Sequence, residues 1–342
     1  MDWQQRLTAI LDEESAADRF SGMVLVTRRD ETLFTGAYGL ADRERKTPVT
    51  MDTRFRIGSI TKLFTATSIV RLIQDGRVSV TDPIGRYLPD YPNAELAAKV
   101  TVHHLLTHTG GTGDILTDGY WDRRDEIRTP DDFIALFGRR APTFEPGSMY
   151  DYSNYGYILL GAIIERTTGH GYLADLDTAV LRPAGMTRSG NNPSEPPAPD
   201  LAIGYHGDEL TPNTDYRSLL GNPAGGAYAT AGDLRRFALA ILHHDLLDAT
   251  HTDLLTTGKV NAGFNGRQAY GFREQTVHSI RAIGGTGGFP GANAVLTIHP
   301  ASGHVTVVLA NLDPPVALQV AQFIDFALPA ADLLPGAFAA QP

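Results

Sequence analysis

The segment Gly58-Ser59-Ile60-Thr61-Lys62 sets a hydroxyl and an amine three residues apart. On a helix that spacing brings two side chains onto one face, where they meet. A serine hydroxyl is a poor nucleophile until a neighbouring base takes its proton. A lysine becomes such a base once burial and nearby cations lower its pKa. If Ser59 opens the helix, backbone N–H groups and the positive end of the helix dipole lie where an oxyanion would form. A serine N-cap followed by a solvated lysine has the same spacing. The surroundings argue against it, because Lys62 is the only charge between Arg56 and Arg71 in an otherwise largely apolar run.

Two further segments carry suitable groups. Tyr150-Asp151-Tyr152-Ser153-Asn154-Tyr155 follows the turn Pro146-Gly147 and leads into an apolar helix. Tyr152 and Asn154, two apart on an extended approach, can point into one cleft. A phenol beside a buried ammonium is expected to have a lowered pKa, which suits it to pass a proton to a leaving group. Asn154 can bridge Lys62 and a substrate carbonyl; an aromatic lid is the plainer reading of this Tyr-rich turn. The third segment, Gly284-Gly285-Thr286-Gly287-Gly288-Phe289-Pro290-Gly291, is expected at the end of a strand. Its glycines allow a substrate to approach a strand edge, and the Gly288 N–H can act as an oxyanion donor opposite that of Ser59. A phosphate loop does not fit, since no Lys-Ser/Thr follows and no helix pattern begins there. A simple glycine-rich turn does fit.

The elements that must position these groups follow from periodicity. Residues 3–17 read as a helix, and Gly22–Thr27 with Thr32–Tyr38 as a hairpin. Residues 59–74 read as a buried helix stopped by Gly76. Helical pieces recur at 102–106, 131–137, 154–168 and 232–243, and a last helix at about 315–328. Strand patterns return at 279–283, 292–298 and 305–309. The Pro-rich stretch 189–200 reads as an exposed loop or a flexible lid. Strands at both ends with helices between them predict an α+β fold. Its antiparallel sheet is flanked by helices and built from both chain ends, residues 1–84 and 271–342. A mostly helical region, 85–270, is inserted between them, and a cleft between the two parts is the expected place for a site.

Composition narrows the function. The 342 residues carry a net charge of −10 without acidic blocks and contain no cysteine. No basic face is available for nucleic acid and no polybasic patch for a membrane surface. Thiolate chemistry and disulfides are excluded. Residues 1–20 lack the basic start and apolar stretch of a secretory signal, and no apolar run approaches bilayer length. The expected location is therefore cytoplasmic. The histidines His103, His104, His108, His243, His244 and His251 make no strong zinc spacing, so no metal or other cofactor is expected. Nothing in the sequence fixes an oligomeric state.

Taken together, the three segments resemble the serine β-lactamase and penicillin-binding-protein superfamily. S-x-x-K matches Ser59–Lys62 and Y-x-N matches Tyr152–Asn154. The branch most resembled holds class C β-lactamases, D-alanyl-D-alanine peptidases and related esterases. Flanking words agree with it: Phe55-Arg56-Ile57-Gly58, the run from His104 to Gly111, Pro223-Ala224-Gly225-Gly226, and Thr230-Ala231-Gly232-Asp233-Leu234. The similarity runs from about residue 20 to 310 with the motifs in order. It implies that Ser59, Lys62 and Tyr152 are catalytic, and that Asn154 and Gly285-Thr286-Gly287-Gly288 contact the substrate or its oxyanion.

One position departs from the pattern. The family's third motif usually begins with Lys or His, a cation that helps anchor a substrate carboxylate; here the triplet is Gly285-Thr286-Gly287. Arg281 and His278, on the same run, are the candidates to replace it. The departure favours a neutral ester over a β-lactam or D-Ala-D-Ala peptide. The expectation is thus a serine hydrolase working through an acyl-enzyme on a small-molecule ester or amide. The rival readings are a β-lactamase or D-amino-acid peptidase or amidase, and a non-catalytic binding or scaffold protein that keeps the fold.

Overall fold

The computed structural model describes residues 2–124, 126–191, 199–214, 221–263 and 266–333. Both ends of the chain meet in one antiparallel sheet. Near the N-terminus β1 (Gly22–Arg28) and β2 (Glu31–Tyr38) form the expected hairpin. Six strands come from the C-terminal part: β3 (Val260–Asn261), β4 (Gly266–Gln268), β5 (Arg273–Val277), β6 (Ile280–Phe289), β7 (Ala292–His299) and β8 (His304–Ala310). The sheet order is β2-β1-β8-β7-β6-β5-β4-β3. Its seam is the β1–β8 ladder, which runs from Gly22 opposite Ala310 to Arg28 opposite His304.

Strands β7 and β8 are buried along their whole length, because helices cover both faces of the sheet. On one face lie α1 (Trp3–Ala16) and α6 (Val316–Ala327). Leu7, Leu11, Val24, Val308 and Ile324 pack together there. Asp2 caps α1, its carboxylate accepting from the Gln5 N–H at 2.8 Å. On the other face lies α2 (Thr61–Gln74), joined by α3 (Val102–Leu106), α4 (Asn154–Thr168) and α5 (Ala231–Leu242). Ile60, Leu63 and Phe64 at the head of α2 are at most 1% exposed. Each buried side chain of that size contributes roughly 1.5–3 kcal/mol, so the position of this helix on the sheet is strongly held.

Several expectations change in detail. A short 3₁₀ turn, Gly58–Ile60, precedes α2, so Ser59 stands just ahead of the α-helix instead of opening it. The strand expected at 279–283 runs on through most of the third segment. β6 continues through the glycines to Phe289, paired with β7 from Ile283 opposite Ile298 to Phe289 opposite Ala292. The glycines hide a strand from pattern reading because they have no side chain to alternate. Strands β3 and β4, placed in the helical insertion by the sequence, belong to the sheet. They are too short to show a period. One apolar cluster runs from Leu25 and Val307 of the sheet through α2 and α5 to Ile158 and Leu159 of α4. The helical region therefore shares the core of the sheet. Residues 192–198 of the Pro-rich stretch lie outside the described residues.

Candidate active site

Ser59 is half-buried at the head of α2, and Lys62, one turn on, is 2% exposed. The turn between them is fixed by Thr61. Its hydroxyl donates to the Gly58 carbonyl at 2.7 Å and accepts from the Ala227 N–H at 3.1 Å. The Lys62 Nζ has three oxygen partners: the Ala224 carbonyl at 2.5 Å, Asn154 Oδ1 at 2.8 Å and Ser59 Oγ at 3.1 Å. The first two only accept. A neutral amine has two N–H bonds and one lone pair; spending both N–H bonds there leaves the lone pair for the Ser59 proton. Burial drives the amine toward that form, lowering its pKa to about 7 against the opposing pull of the Asp114 carboxylate.

Tyr152 and Asn154 reach this point from the approach to α4. Ser153 caps that helix, accepting from the Gly156 N–H at 3.0 Å and donating to the Gly113 carbonyl at 2.6 Å. The Ser153 N–H in turn donates to Nδ1 of His108 at 3.2 Å, which leaves the ring proton on Nε2. His108 is buried with φ of 57°. Burial and the nearby Lys62 lower its pKa to about 3, so it stays neutral. Its ring packs against that of Tyr152 at 4.5 Å and aims the phenol. That phenol donates to Ser59 Oγ at 2.8 Å.

The phenol's acidity corrects the sequence reading. Burial raises the Tyr152 pKa above the usual tyrosine value instead of the ammonium lowering it. Although 40% of the residue is exposed, its hydroxyl end is enclosed around Ser59, and the amine beside it has itself been driven toward neutrality. Two groups on one hydroxyl thus have proton affinities pushed in opposite directions: an amine poised to accept and a phenol that keeps its proton.

Two glycines of β6, Gly285 and Gly287, lie where α2 and the turn before it press on the strand. A Cβ on Gly287 would lie 1.9 Å from the Ile57 carbonyl oxygen and 2.8 Å from the Ser59 nitrogen. One on Gly285 would meet Leu63 Cδ1 at 2.8 Å. Asn293 Nδ2 donates to the Gly287 carbonyl at 2.9 Å. In a trans peptide the following N–H points the opposite way, so the Gly288 N–H faces away from Asn293. A Cβ on Gly58 would come within 2.7 Å of that nitrogen, so the Gly288 amide abuts the turn that carries Ser59.

A cleft of about 260 Å³ opens here, lined among others by Ser59, Asp114, Leu116, Tyr152, Gly288 and Phe289. Gly285 and Thr286 border instead a separate hollow between the sheet and α6. No lysine or arginine lines the cleft among the described residues. Arg281 is turned to Glu274, its Nε donating at 2.5 Å, and His278 Nε2 donates to the Asp325 carbonyl at 3.0 Å. Neither replaces the missing cation.

A sequence model of the Beta-lactamase family matches residues 7–327. The chain belongs to the β-lactamase family. Members of this family of serine hydrolases include esterases and amidases among the relatives of this chain. It is 35% identical to esterase EstB of Burkholderia gladioli over 221 residues, 60% of this chain and 56% of that protein. The match thus spans little more than half of the esterase's length. It is 28% identical to penicillin-binding protein 4* of Bacillus subtilis over 86% of this chain and 68% of that one. A penicillin-binding protein from Bacillus halodurans superposes with a TM-score of 0.84 at 30% identity, covering 93% of this chain and 98% of its own. D-amino acid amidase from Ochrobactrum anthropi SV3 superposes at 0.80 with 27% identity, over 96% and 98%. Among the described residues no helix of this β-lactamase-family chain is long and apolar enough to cross a membrane.

Sequence reasoning missed Asp114. Its carboxylate accepts from the Asn154 backbone N–H at 2.8 Å and from Asn154 Nδ2 at 3.1 Å. The available signal was Gly110-Gly111-Thr112-Gly113-Asp114, where a glycine-rich turn delivers a carboxylate three residues beyond the run that ends at Gly111. Nothing local shows that it meets a residue 40 positions on.

Proposed function

We propose that this protein is a carboxylic-ester hydrolase that acts through an acyl-enzyme on small neutral esters. The observation that carries the reading is the Ser59 hydroxyl held between Lys62 Nζ at 3.1 Å and the Tyr152 phenol at 2.8 Å, at the floor of an open cleft. The neutral Lys62 amine takes the Ser59 proton as Oγ attacks the acyl carbon. The N–H groups of Ser59 and Gly288 hold the oxyanion. Tyr152 gives its proton to the departing alkoxide, and the proton on Lys62 replenishes it. Water, deprotonated by the same pair, then releases the acid and restores Ser59. Asn154 holds the amine in place and offers its amide to the substrate.

The lining of the cleft supports a neutral ester, since it holds the Asp114 carboxylate and, among the described residues, no cation to grip a substrate carboxylate. Likeness to esterase EstB points the same way. A second reading, hydrolysis of D-amino-acid amides, is supported by the likeness to D-amino acid amidase. An assay of purified protein on p-nitrophenyl esters, a chromogenic cephalosporin and D-amino-acid amides separates the two. Higher kcat/KM on the esters is expected. Preference for the lactam or the amides would overturn the ester assignment, and absence of Ser59 labelling by a fluorophosphonate would overturn the hydrolase itself.

A further inference from the structure

An asparagine amide has nearly the same shape at both ends, so its direction must be set from outside. At Asn154 the choice matters. With Oδ1 on Lys62 the side chain accepts from the amine at 2.8 Å; with Nδ2 there, a donor would face a donor. We propose that Asp114 is a positioning residue, whose carboxylate fixes Asn154 with its oxygen toward Lys62 and places a negative charge against the Lys62 amine. This deepens the hydrolase reading and rests on it.

The geometry requires this direction. A carboxylate only accepts, and Asp114 takes both the backbone N–H and the Nδ2 of Asn154, one on each oxygen. One N–H of the Asn154 amide is therefore committed to Asp114 and the amide oxygen faces Lys62, which leaves the second N–H for the cleft. Asp114 is itself held firmly. Arg140 Nη1 donates to its carbonyl at 2.6 Å, and the preceding carbonyl of Gly113 receives the Ser153 hydroxyl at 2.6 Å. Gly111 and Gly113, at φ of 62° and 67°, allow the chain to turn there.

The charge has its own consequence. The groups facing the Lys62 amine are Tyr152 at 4.8 Å and Tyr157 at 5.6 Å from their ring centres, the Ser59 hydroxyl, His108 and Asp114. Burial keeps both phenols protonated and the imidazole neutral at neutral pH. Asp114 is then the charge that opposes the burial of Lys62, and it keeps the amine basic enough to accept the Ser59 proton.

The test compares wild type with D114N, D114E and D114A. It follows the pH dependence of Ser59 labelling by a fluorophosphonate and of kcat/KM for p-nitrophenyl acetate. Removing the negative charge makes the amine easier to deprotonate. The acid limb of both profiles should therefore move to lower pH in D114N and D114A, by about one unit, and stay in place in D114E. Plateau kcat/KM should fall roughly 10- to 100-fold in D114A as Asn154 loses its direction. Should D114A fail to fold, D114N and D114E, which keep a polar side chain, decide the matter. An acid limb in D114N coincident with that of wild type would overturn the inference alone. A wild type unlabelled at Ser59 would overturn the hydrolase reading and the inference with it.

Discussion

The phenol of Tyr152 donates to Ser59 Oγ at 2.8 Å across 93 residues of chain. The contact joins the loop before one helix to the turn before another, so it exists only because α2 and α4 pack on each other. It gives the Ser59 oxygen a proton donor on one side while an amine stands on the other.

Ser59→Ala should abolish turnover of p-nitrophenyl acetate without disturbing the fold, since the side chain is half-buried and on a turn. Steady-state kinetics with a melting curve checks both parts. Activity at the wild-type level would refute the nucleophile assignment.

The pH profile should report Lys62. The amine is active when neutral, and its pKa is lowered to about 7. In the free enzyme kcat/KM should fall about tenfold per unit as pH drops below that value and level off above it. Tyr152, raised above the usual tyrosine value, adds no limb in the neutral range. A profile flat from pH 5 to 9 would exclude Lys62 as the base.

Lys62→Met should separate stability from activity. Between pH 10.5, the ordinary lysine value, and about 7 the unfolded chain binds the proton that the folded chain lacks. Wild-type stability therefore rises with pH across that window, and below it the burial penalty of the charged amine is complete. The variant should lose that slope in urea unfolding and lose about 10²–10⁴-fold in acylation rate. Equal slopes for the two proteins would show that Lys62 is not buried as described.

Tyr152→Phe keeps the ring against His108 and removes only the proton. Its cost should depend on the leaving group. An alkyl ester, whose alkoxide needs protonation, should lose about 10²–10⁴-fold in kcat/KM, and a p-nitrophenyl ester far less. Equal losses on both would argue for a purely structural phenol.

Gly287→Ala forces a methyl to within 1.9 Å of the Ile57 carbonyl oxygen. Overpacking of this kind costs about 1–3 kcal/mol. The methyl also pushes on the Ser59 nitrogen, so kcat should fall together with the melting temperature. A variant unchanged in both would mean that the strand and the turn lie further apart than described.

Much of this molecule was legible locally. The spacing of Ser59 and Lys62 and the helix at 154–168 follow from the 3.6 period within short windows, where the backbone alone dictates which side chains share a face. The hairpin 22–38 and the strands near both ends follow from short β-rich runs bounded by turn residues. The glycines of β6 were legible as residues but not as a strand; Gly285 and Gly287 have their reason in Leu63 of α2 and in Ile57 and Ser59 ahead of it, which press on them.

Sequence by itself determined which groups were available: one isolated lysine beside a serine, a Tyr-x-Asn approach, no cysteine, and no cation in the third motif. Tertiary structure decided what those groups became. The Lys62 amine was driven toward its neutral form, and the Tyr152 phenol made to keep its proton, because burial penalises charge, and burial depends on segments more than 90 residues apart packing around one point. Asp114 entered the site for the same reason: its partner is chosen by the packing of a loop on α4, which no local pattern encodes.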